Sequence, residues 1–161
     1  MDLKAREGLA DAIARILREA IFTGLRPQTN VKMRLPSALL EQRLSVNADR
    51  IHVQQVILNL AANAMDAMTD TAPDVRATTI QTALVGDSEV EVSISDSGTG
   101  IPKHKLGQVF DTFFTTKKHG TGLGLSIVRT IVDNYGVKIW AENRIEGGAV
   151  FRFTLPLLRP A

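Results

Sequence analysis

A chain of 161 residues is long enough for one domain with its own core, and 44% hydrophobic with 22% charged residues is typical of a globular fold. The formal net charge of +2 is too small to predict attraction to nucleic acid or to a membrane surface, and the lack of cysteine excludes disulfides, thiolate metal sites and a cysteine nucleophile. No apolar run approaches the roughly 20 residues of a membrane helix, and the N-terminus lacks the apolar core of a signal peptide.

The first half of the chain predicts two helices with a short strand between them. Apolar residues at helical spacing indicate an amphipathic helix over Leu3–Gly24. Asn30–Leu35 is predicted as a short strand, and Ser45–Asn47 as a little more extended chain. A second helix is predicted from about Asp49 to Thr69, because aspartate is a favoured N-cap residue.

The second half of the chain alternates strands with one long helix. Strands are predicted at Ala77–Val85 and Glu89–Ser95, a third helix at Gly122–Tyr135, and a closing hairpin at Val137–Glu142 and Ala149–Leu155. The connecting segments, predicted as loops or short helical turns, are Thr71–Val75, Ser97–Pro102, Lys103–Gly107 and Phe110–Gly120. Helices combined with mostly hairpin-connected strands predict an α+β fold of two layers, a mixed, mostly antiparallel sheet with helices on one face.

The predicted second helix carries an unusual polar stripe. Its members, which fall within a sector of roughly 80°, are Gln55, Asn59, Asn63 and Asp66. The apolar residues on the opposite side, predicted to face the core, are Val53, Val56, Ile57, Leu60, Ala64 and Ala67. Asparagine is a poor helix former, and its amide oxygen suits a hard cation such as Mg²⁺. The alternative is a pair of ordinary solvated asparagines.

The segment DSGTGIP follows a predicted strand and begins with an acidic residue. The carboxylate of Asp96 can accept a hydrogen bond from an exocyclic amine such as that of adenine, and Gly98 and Gly100 let the backbone approach a planar ring closely. The alternative is a plain turn. A dinucleotide-binding fingerprint is not indicated, because its glycines would enter a helix directly.

The segment HGTGLGLSIVRTIV combines glycines with the start of an apolar-periodic helix. Gly120, Gly122 and Gly124 precede the helix, whose free N–H groups and positive dipole end favour phosphate. No Gly-Lys-Ser/Thr follows, so this is not a Walker P-loop. By itself a glycine-rich helix start is a weak indication.

The segment VFDTFFTTKKH lies between those two loops and is rich in phenylalanine. Large apolar side chains at Phe110, Phe113 and Phe114 need a place to dock, which predicts a lid over a pocket. Thr116 and Lys117 then lie beside the glycine-rich loop, where a lysine can meet a phosphate. The alternative is a small satellite core with solvated lysines.

In order and spacing, these four segments resemble the N, G1, F and G2 boxes of the catalytic, ATP-binding domain of bacterial sensor histidine kinases. That family belongs to the wider ATPase group of gyrase, the Hsp90 chaperones and the MutL proteins. The resemblance runs from about Gly8 to Pro156. It implies the Bergerat α/β sandwich, with ATP or ADP and Mg²⁺ as ligands.

The resemblance also implies a role for each matching position. Asn63 would bind the Mg²⁺ that bridges the phosphates, Asn59 would contact the phosphates or the metal shell, and both would be the catalytic residues. Asp96 would hold the adenine amine. The full implied set of nucleotide-binding residues is Asn59, Asn63, Asp66, Asp96, Gly98, Gly100, Ile101, Phe110, Thr116, Lys117, Gly120, Thr121, Gly122, Leu123, Gly124 and Leu125.

One position separates the branches of this group. The gyrase, Hsp90 and MutL branches place a water-activating glutamate one turn before the metal-binding asparagine, and this chain has Asn59 there, which cannot act as a base. The short FTTK lid looks like that of oxygen- and nitrogen-sensing kinases. The alternatives are a nucleotide-binding module, a hydrolytic ATPase, or an anti-sigma-factor serine kinase, for which Asp66 is the nearby candidate base.

The histidines of the chain do not fit the phosphoacceptor pattern of such kinases. None of His52, His104 and His119 is followed by an acidic residue and then a proline. We therefore expect 1–161 to be a single catalytic domain, cytoplasmic and monomeric, with the phosphoacceptor and dimerisation domain outside it. The implied partners are that histidine-containing domain and, through it, a response regulator, with no nucleic acid and no direct membrane contact.

Overall fold

The structure, a computed structural model, describes residues 11–13, 15, 18, 45–112 and 124–158, together with the backbone of residues 30–34. Residues 11–13, 15 and 18 are helical, and Ala12 and Ile13 are buried, which confirms the predicted first helix at these positions. The remainder of that helix lies outside the described residues. Within them, no helix combines the length and apolar character needed to cross a bilayer.

Five strands of the described residues form one sheet in the order β1-β2-β3-β5-β4. Their bounds are β1 Asn30–Arg34, β2 Ala77–Val85, β3 Glu89–Asp96, β4 Ile139–Asn143 and β5 Ala149–Pro156. β1 runs parallel to β2, and every other pair is antiparallel. The predicted mixed, mostly antiparallel sheet is confirmed.

Apart from β2, the strands differ from the predicted bounds by one or two residues, most clearly at β4. The strand predicted at Val137–Glu142 begins at Ile139 and ends at Asn143, because the chain is still leaving the turn at Gly136, whose φ is +67°. The extended segment predicted at Ser45–Asn47 makes only one isolated bridge, between Val46 and Leu157.

Two α-helices lie side by side on the sheet. α1 spans Arg50–Ala67 and α2 spans Gly124–Asn134, in agreement with the two predicted helices apart from their ends; residues 121–123 lie outside the described part. Asp49 caps α1, since its Oδ1 accepts from the N–H groups of Ile51 at 2.7 Å and His52 at 3.3 Å. These hydrogen bonds lower the pKa of Asp49, and the bond from Ile51 has the larger effect.

The hydrophobic core fills the space between these helices and the inner face of the sheet. α1 contributes Val53, Val56, Ile57, Leu60, Ala61 and Ala64. The sheet contributes Ile80, Val90, Val92, Ile94, Phe151, Phe153 and Leu155. Burying a side chain of this size stabilises the fold by roughly 1.5–3 kcal/mol. Ala67, predicted to face the core, is only partly buried because it is the last residue of α1.

The opposite face of the sheet carries polar residues. Arg152 on β5 forms ion pairs with Glu91 on β3 at 2.8 Å and with Glu142 on β4 at 3.2 Å. These pairs connect three neighbouring strands on the side away from the helices. We therefore expect the functional side chains where the inner face of the sheet meets the ends of the helices.

Candidate nucleotide-binding site

Asp96 is the last residue of β3 and continues the inward-facing alternation of Val92 and Ile94. It is 1% exposed. Its Oδ1 accepts hydrogen bonds from the N–H of Gly98 at 2.9 Å and of Ala149 at 3.3 Å. Its Oδ2 is also buried but has no hydrogen-bond partner among the described residues.

The electrostatics of Asp96 follow from this position. Burial raises the pKa of the carboxyl group, while the hydrogen bonds from Gly98 and Ala149 and the positive charge of Arg144 oppose the rise. Arg144 also donates from Nη1 to the main-chain oxygen of Asp96 at 2.9 Å. A buried acceptor without a partner is unfavourable unless a ligand supplies a donor. Oδ2 therefore fits the exocyclic amine of a nucleobase.

Glycines allow the neighbouring segments to close around Asp96. A Cβ atom at Gly98 would overlap the main-chain oxygen of Ala67 and lie 2.9 Å from its carbonyl carbon, so the loop after β3 packs directly against the end of α1. Gly148 lies equally close to Asp96, because a Cβ atom there would lie 2.8 Å from the carbonyl carbon of Asp96. Both positions exclude any larger residue without a shift of the backbone.

The far end of the glycine loop is held by an amide clamp. Asn143 on β4 accepts from the N–H of Ile101 at 2.7 Å through Oδ1 and donates to the oxygen of Ile101 at 2.6 Å through Nδ2. Gly100, with φ +77°, passes next to this clamp, and a Cβ atom there would lie 2.9 Å from Oδ1 of Asn143. The loop from Asp96 to Ile101 is thus fixed to the β4–β5 hairpin.

The polar stripe of α1 runs between this loop and the start of α2. Asn59 approaches α2, its Nδ2 lying 3.5 Å from the main-chain oxygen of Gly124. Ala67, two turns further along α1, underlies Gly98. Asn63 lies about one turn after Asn59 and one turn before Ala67 along α1. The stripe, the glycine loop and the start of α2 therefore border one site.

Residues 48–159 match the family model described as Histidine kinase-, DNA gyrase B-, and HSP90-like ATPase. The chain belongs to this family. Sensor protein FixL of Bradyrhizobium diazoefficiens is 37% identical to it over 150 residues, which is 93% of this chain and 29% of FixL. The nucleotide-free catalytic domain of the histidine kinase ThkA is 35% identical with a TM-score of 0.75, and covers 92% of both chains. ThkA in complex with the response regulator protein TrrA matches with 31% identity and a TM-score of 0.75, over 94% of this chain and 41% of that one.

Some of the predicted site residues lie in the described part of this family member. They are Asn59, Asn63, Asp66, Asp96, Gly98, Gly100, Ile101, Phe110, Gly124 and Leu125. Those outside the described part are Thr116, Lys117, Gly120, Thr121, Gly122 and Leu123. The contacts above join the loop from Asp96 to Ile101 with the end of α1 and with the β4–β5 hairpin, and they bring Asn59 to the start of α2.

The predicted lid lies mostly outside the described residues, which include only its first positions. Phe110 is partly buried and packs edge-on against Phe151 of the core, with ring centroids 6.0 Å apart. Phe110 thus anchors the beginning of the segment in the core. The positions predicted to cover the pocket, from Phe113 to Gly120, are not described.

Sequence reasoning missed the residues of the β4–β5 hairpin that support the site. Asn143, Arg144 and Gly148 all contact the segment from Asp96 to Ile101, although they follow it by more than 40 positions in the chain. The paired glycines before β5 indicate only a turn. Their role depends on β5 pairing with β3, which a local pattern does not reveal.

Proposed function

We propose that this chain is the ATP-binding catalytic domain of a sensor histidine kinase, which transfers the γ-phosphoryl group of ATP to a histidine on a separate dimerisation domain. The observation that carries the proposal is the buried carboxylate of Asp96, whose Oδ2 has no partner in the described residues, while Gly98 and Gly148 pack close to its Oδ1. Family membership supports it, as does the similarity to FixL and to the catalytic domain of ThkA.

The base side of the site selects adenine. Oδ2 of Asp96 accepts a hydrogen bond from the exocyclic amine, and Gly98 and Gly100 let the loop pack closely against Ala67 and Asn143 beside this carboxylate. Guanine presents a carbonyl oxygen where adenine has this amine, so two acceptors would face one another. ATP is therefore preferred over GTP.

The phosphate side of the site involves the stripe of α1 and the start of α2. Asn63 would supply an amide oxygen to Mg²⁺, and Asn59 would contact the phosphates or the metal shell. When bound, Mg²⁺ neutralises the charge that develops on the phosphates. The N–H groups at the start of α2, beginning at Gly124, attract the phosphate oxygens. The residues proposed to complete this side are Thr116, Lys117, Gly120, Thr121, Gly122, Leu123 and Leu125, with Asp66 at the end of the stripe.

The transfer itself needs positioning more than acid–base chemistry. A neutral imidazole nitrogen of the acceptor attacks the γ-phosphorus, the new N–P bond forms as the bond to the β-phosphate oxygen breaks, and ADP leaves. The imidazole is already nucleophilic, so no protein base is required. This agrees with an asparagine at position 59, where a hydrolytic member of the family needs a carboxylate.

The partners of the proposed kinase follow from the same assignment. The acceptor histidine belongs to a dimerisation domain, and a response regulator receives the phosphoryl group from it. ThkA, a similar protein, is known in complex with the response regulator TrrA. The chain spans 29% of the length of FixL. We propose that the dimerisation domain is distinct from residues 1–161. We place the domain in the cytoplasm and propose that it is monomeric when isolated.

Transfer in trans tests the proposal. The chain is mixed with a histidine-containing dimerisation-domain fragment and γ-labelled ATP, and label on histidine is measured with and without Mg²⁺. The wild type is expected to label the histidine only with Mg²⁺. Asn63→Ala is expected to abolish labelling and the Mg²⁺ dependence of nucleotide binding, with a change in stability below about 0.5 kcal/mol.

Gln55→Ala is the matched control, because Gln55 is exposed and lies two turns before Asn63 on the same stripe of α1. It is expected to transfer like the wild type. Nucleotide binding without transfer to any acceptor would favour a binding module instead. Steady release of phosphate without an acceptor would favour a hydrolytic ATPase. Label on serine would favour a serine kinase in which Asp66 is the base. Normal transfer by Asn63→Ala would refute the metal role.

A further inference from the structure

Two buried oxygens on neighbouring strands have no hydrogen-bond partner in the described part of the chain. They are Oγ1 of Thr78 on β2 and Oδ2 of Asp96 on β3. Each residue is 1% exposed. Thr78 and Asp96 are direct cross-strand partners, so their Cβ atoms lie about 4.5–5.5 Å apart on one face of the sheet.

That face is the inner one. Ile80 pairs with Ile94 two positions further along each strand, and both isoleucines are fully buried in the core. Because side chains alternate along a strand, Thr78 and Asp96 project to the same side as these isoleucines. The hydroxyl and the carboxylate therefore share the interior between the sheet and α1.

We propose that Thr78 is a positioning residue for Asp96: its hydroxyl donates to one water that bridges to Oδ2, and so orients the carboxylate for a nucleobase amine. The inference rests on the proposed nucleotide binding. It adds a residue from β2, outside the segments singled out from the sequence.

The acceptor capacity of the carboxylate leaves room for this donor. Oδ1 already accepts from the N–H groups of Gly98 and Ala149. Oδ2 has two lone-pair positions, one for the ligand amine and one for the bridging water. Valine is β-branched like threonine and would fill the same space without burying a hydroxyl. Packing alone therefore gives no reason for a threonine at position 78.

Charge around Asp96 makes such a donor effective. Burial disfavours the ionised form of Asp96 and raises its pKa, and Arg144 is the charged group that offsets this among the described residues. A bridging water that donates to Oδ2 favours the ionised form further. Removing the hydroxyl of Thr78 is expected to weaken binding of the base. The loss of binding on acidification is expected to begin at a higher pH.

The test compares Thr78→Val, Thr78→Ser and Thr82→Val with the wild type. Thr82 is the matched control, because it is a buried threonine on the same face of β2 and pairs with Val92, which is not part of the site. The ATP dissociation constant is measured by calorimetry across a pH series. Thermal unfolding of each variant checks the fold.

Thr78→Val is expected to weaken ATP binding by about threefold to tenfold, the range for one net hydrogen bond, and to shift the acid limb of the binding curve to higher pH. Thr78→Ser, which keeps the hydroxyl, and Thr82→Val are expected to resemble the wild type. If Thr78→Val does not fold, Thr78→Ala and Thr82→Ala give the same comparison.

If Thr78→Val keeps the affinity and the pH profile of a wild type that binds ATP normally, the role of Thr78 is overturned. The proposed function would then still stand. An equal loss in Thr82→Val would also overturn the role of Thr78, because the effect would then be one of packing. Failure of the wild type to bind ATP would refute the proposed function and, with it, the role of Thr78.

Discussion

Gly148 is the residue of the β4–β5 hairpin that lies against Asp96, and a side chain there is expected to disturb the site directly. Its φ is +84°. A Cβ atom would overlap the main-chain oxygen of Asp96 and lie 2.8 Å from its carbonyl carbon and 3.0 Å from Oδ1. Gly147, the preceding residue, has φ +103° and nothing within 4 Å of its Cβ position. The two positions share backbone strain and differ in the clash.

This difference sets the expected magnitudes. Alanine at a positive φ costs roughly 1–3 kcal/mol of stability at either position. Gly148→Ala adds overpacking against β3, which costs about 1–3 kcal/mol more. The hairpin can relax only by moving away from Asp96, which breaks the hydrogen bond from the N–H of Ala149 to Oδ1. Losing a hydrogen bond to a charged group is expected to weaken ATP binding by about tenfold or more.

Urea unfolding and calorimetry with ATP measure the two effects. Gly147→Ala is expected to lose stability but to bind ATP like the wild type, whereas Gly148→Ala loses both. Equal stability losses in the two variants, together with normal ATP binding by Gly148→Ala, would refute the reasoning that the hairpin supports the carboxylate.

Two further predictions concern the base side. Asp96→Asn is expected to weaken ATP binding by roughly 1–3 kcal/mol. Because the ionised form of Asp96 is the stronger acceptor for the amine, wild-type affinity should fall as pH drops through the pKa of this group, which burial raises. Calorimetry in which Asp96→Asn shows the same pH dependence would contradict this. Asn143→Ala removes both hydrogen bonds to Ile101 and should increase amide exchange between residues 97 and 101 without unfolding the sheet; unchanged exchange there would show that the clamp is not needed.

Local patterns were sufficient to predict the elements that carry the site. α1 was predicted because its apolar residues recur at helical spacing and Asp49 provides a cap, and the structure has both. The end of β3 was predicted one residue short, at Ser95, yet Asp96 was predicted to follow that strand as an acceptor for an exocyclic amine. Both features depend on residues close together in the sequence, where propensity and capping act.

The supporting contacts could not be predicted in the same way. The pairing of Thr78 with Asp96, and the approach of Gly148 to Asp96, depend on sheet order and register, which single-sequence periodicity does not specify. The start of β4 was misplaced for a related reason. The apolar alternation continues back to Val137, but the residue pairing of β4 with β5 begins at Ile139.

The glycine loop after β3 is held at both ends by side chains that replace missing backbone pairing. At its beginning, Ser97 donates through Oγ to the oxygen of Val75 at 2.8 Å and accepts from the N–H of Ala77 at 2.8 Å. At its end, Asn143 makes both hydrogen bonds to Ile101. A loop fixed in this way loses little conformational entropy when a ligand arrives. If the proposed nucleotide binding holds, the base side is organised before binding, and selectivity for the base is expected to depend on the fixed position of the Oδ2 atom of Asp96.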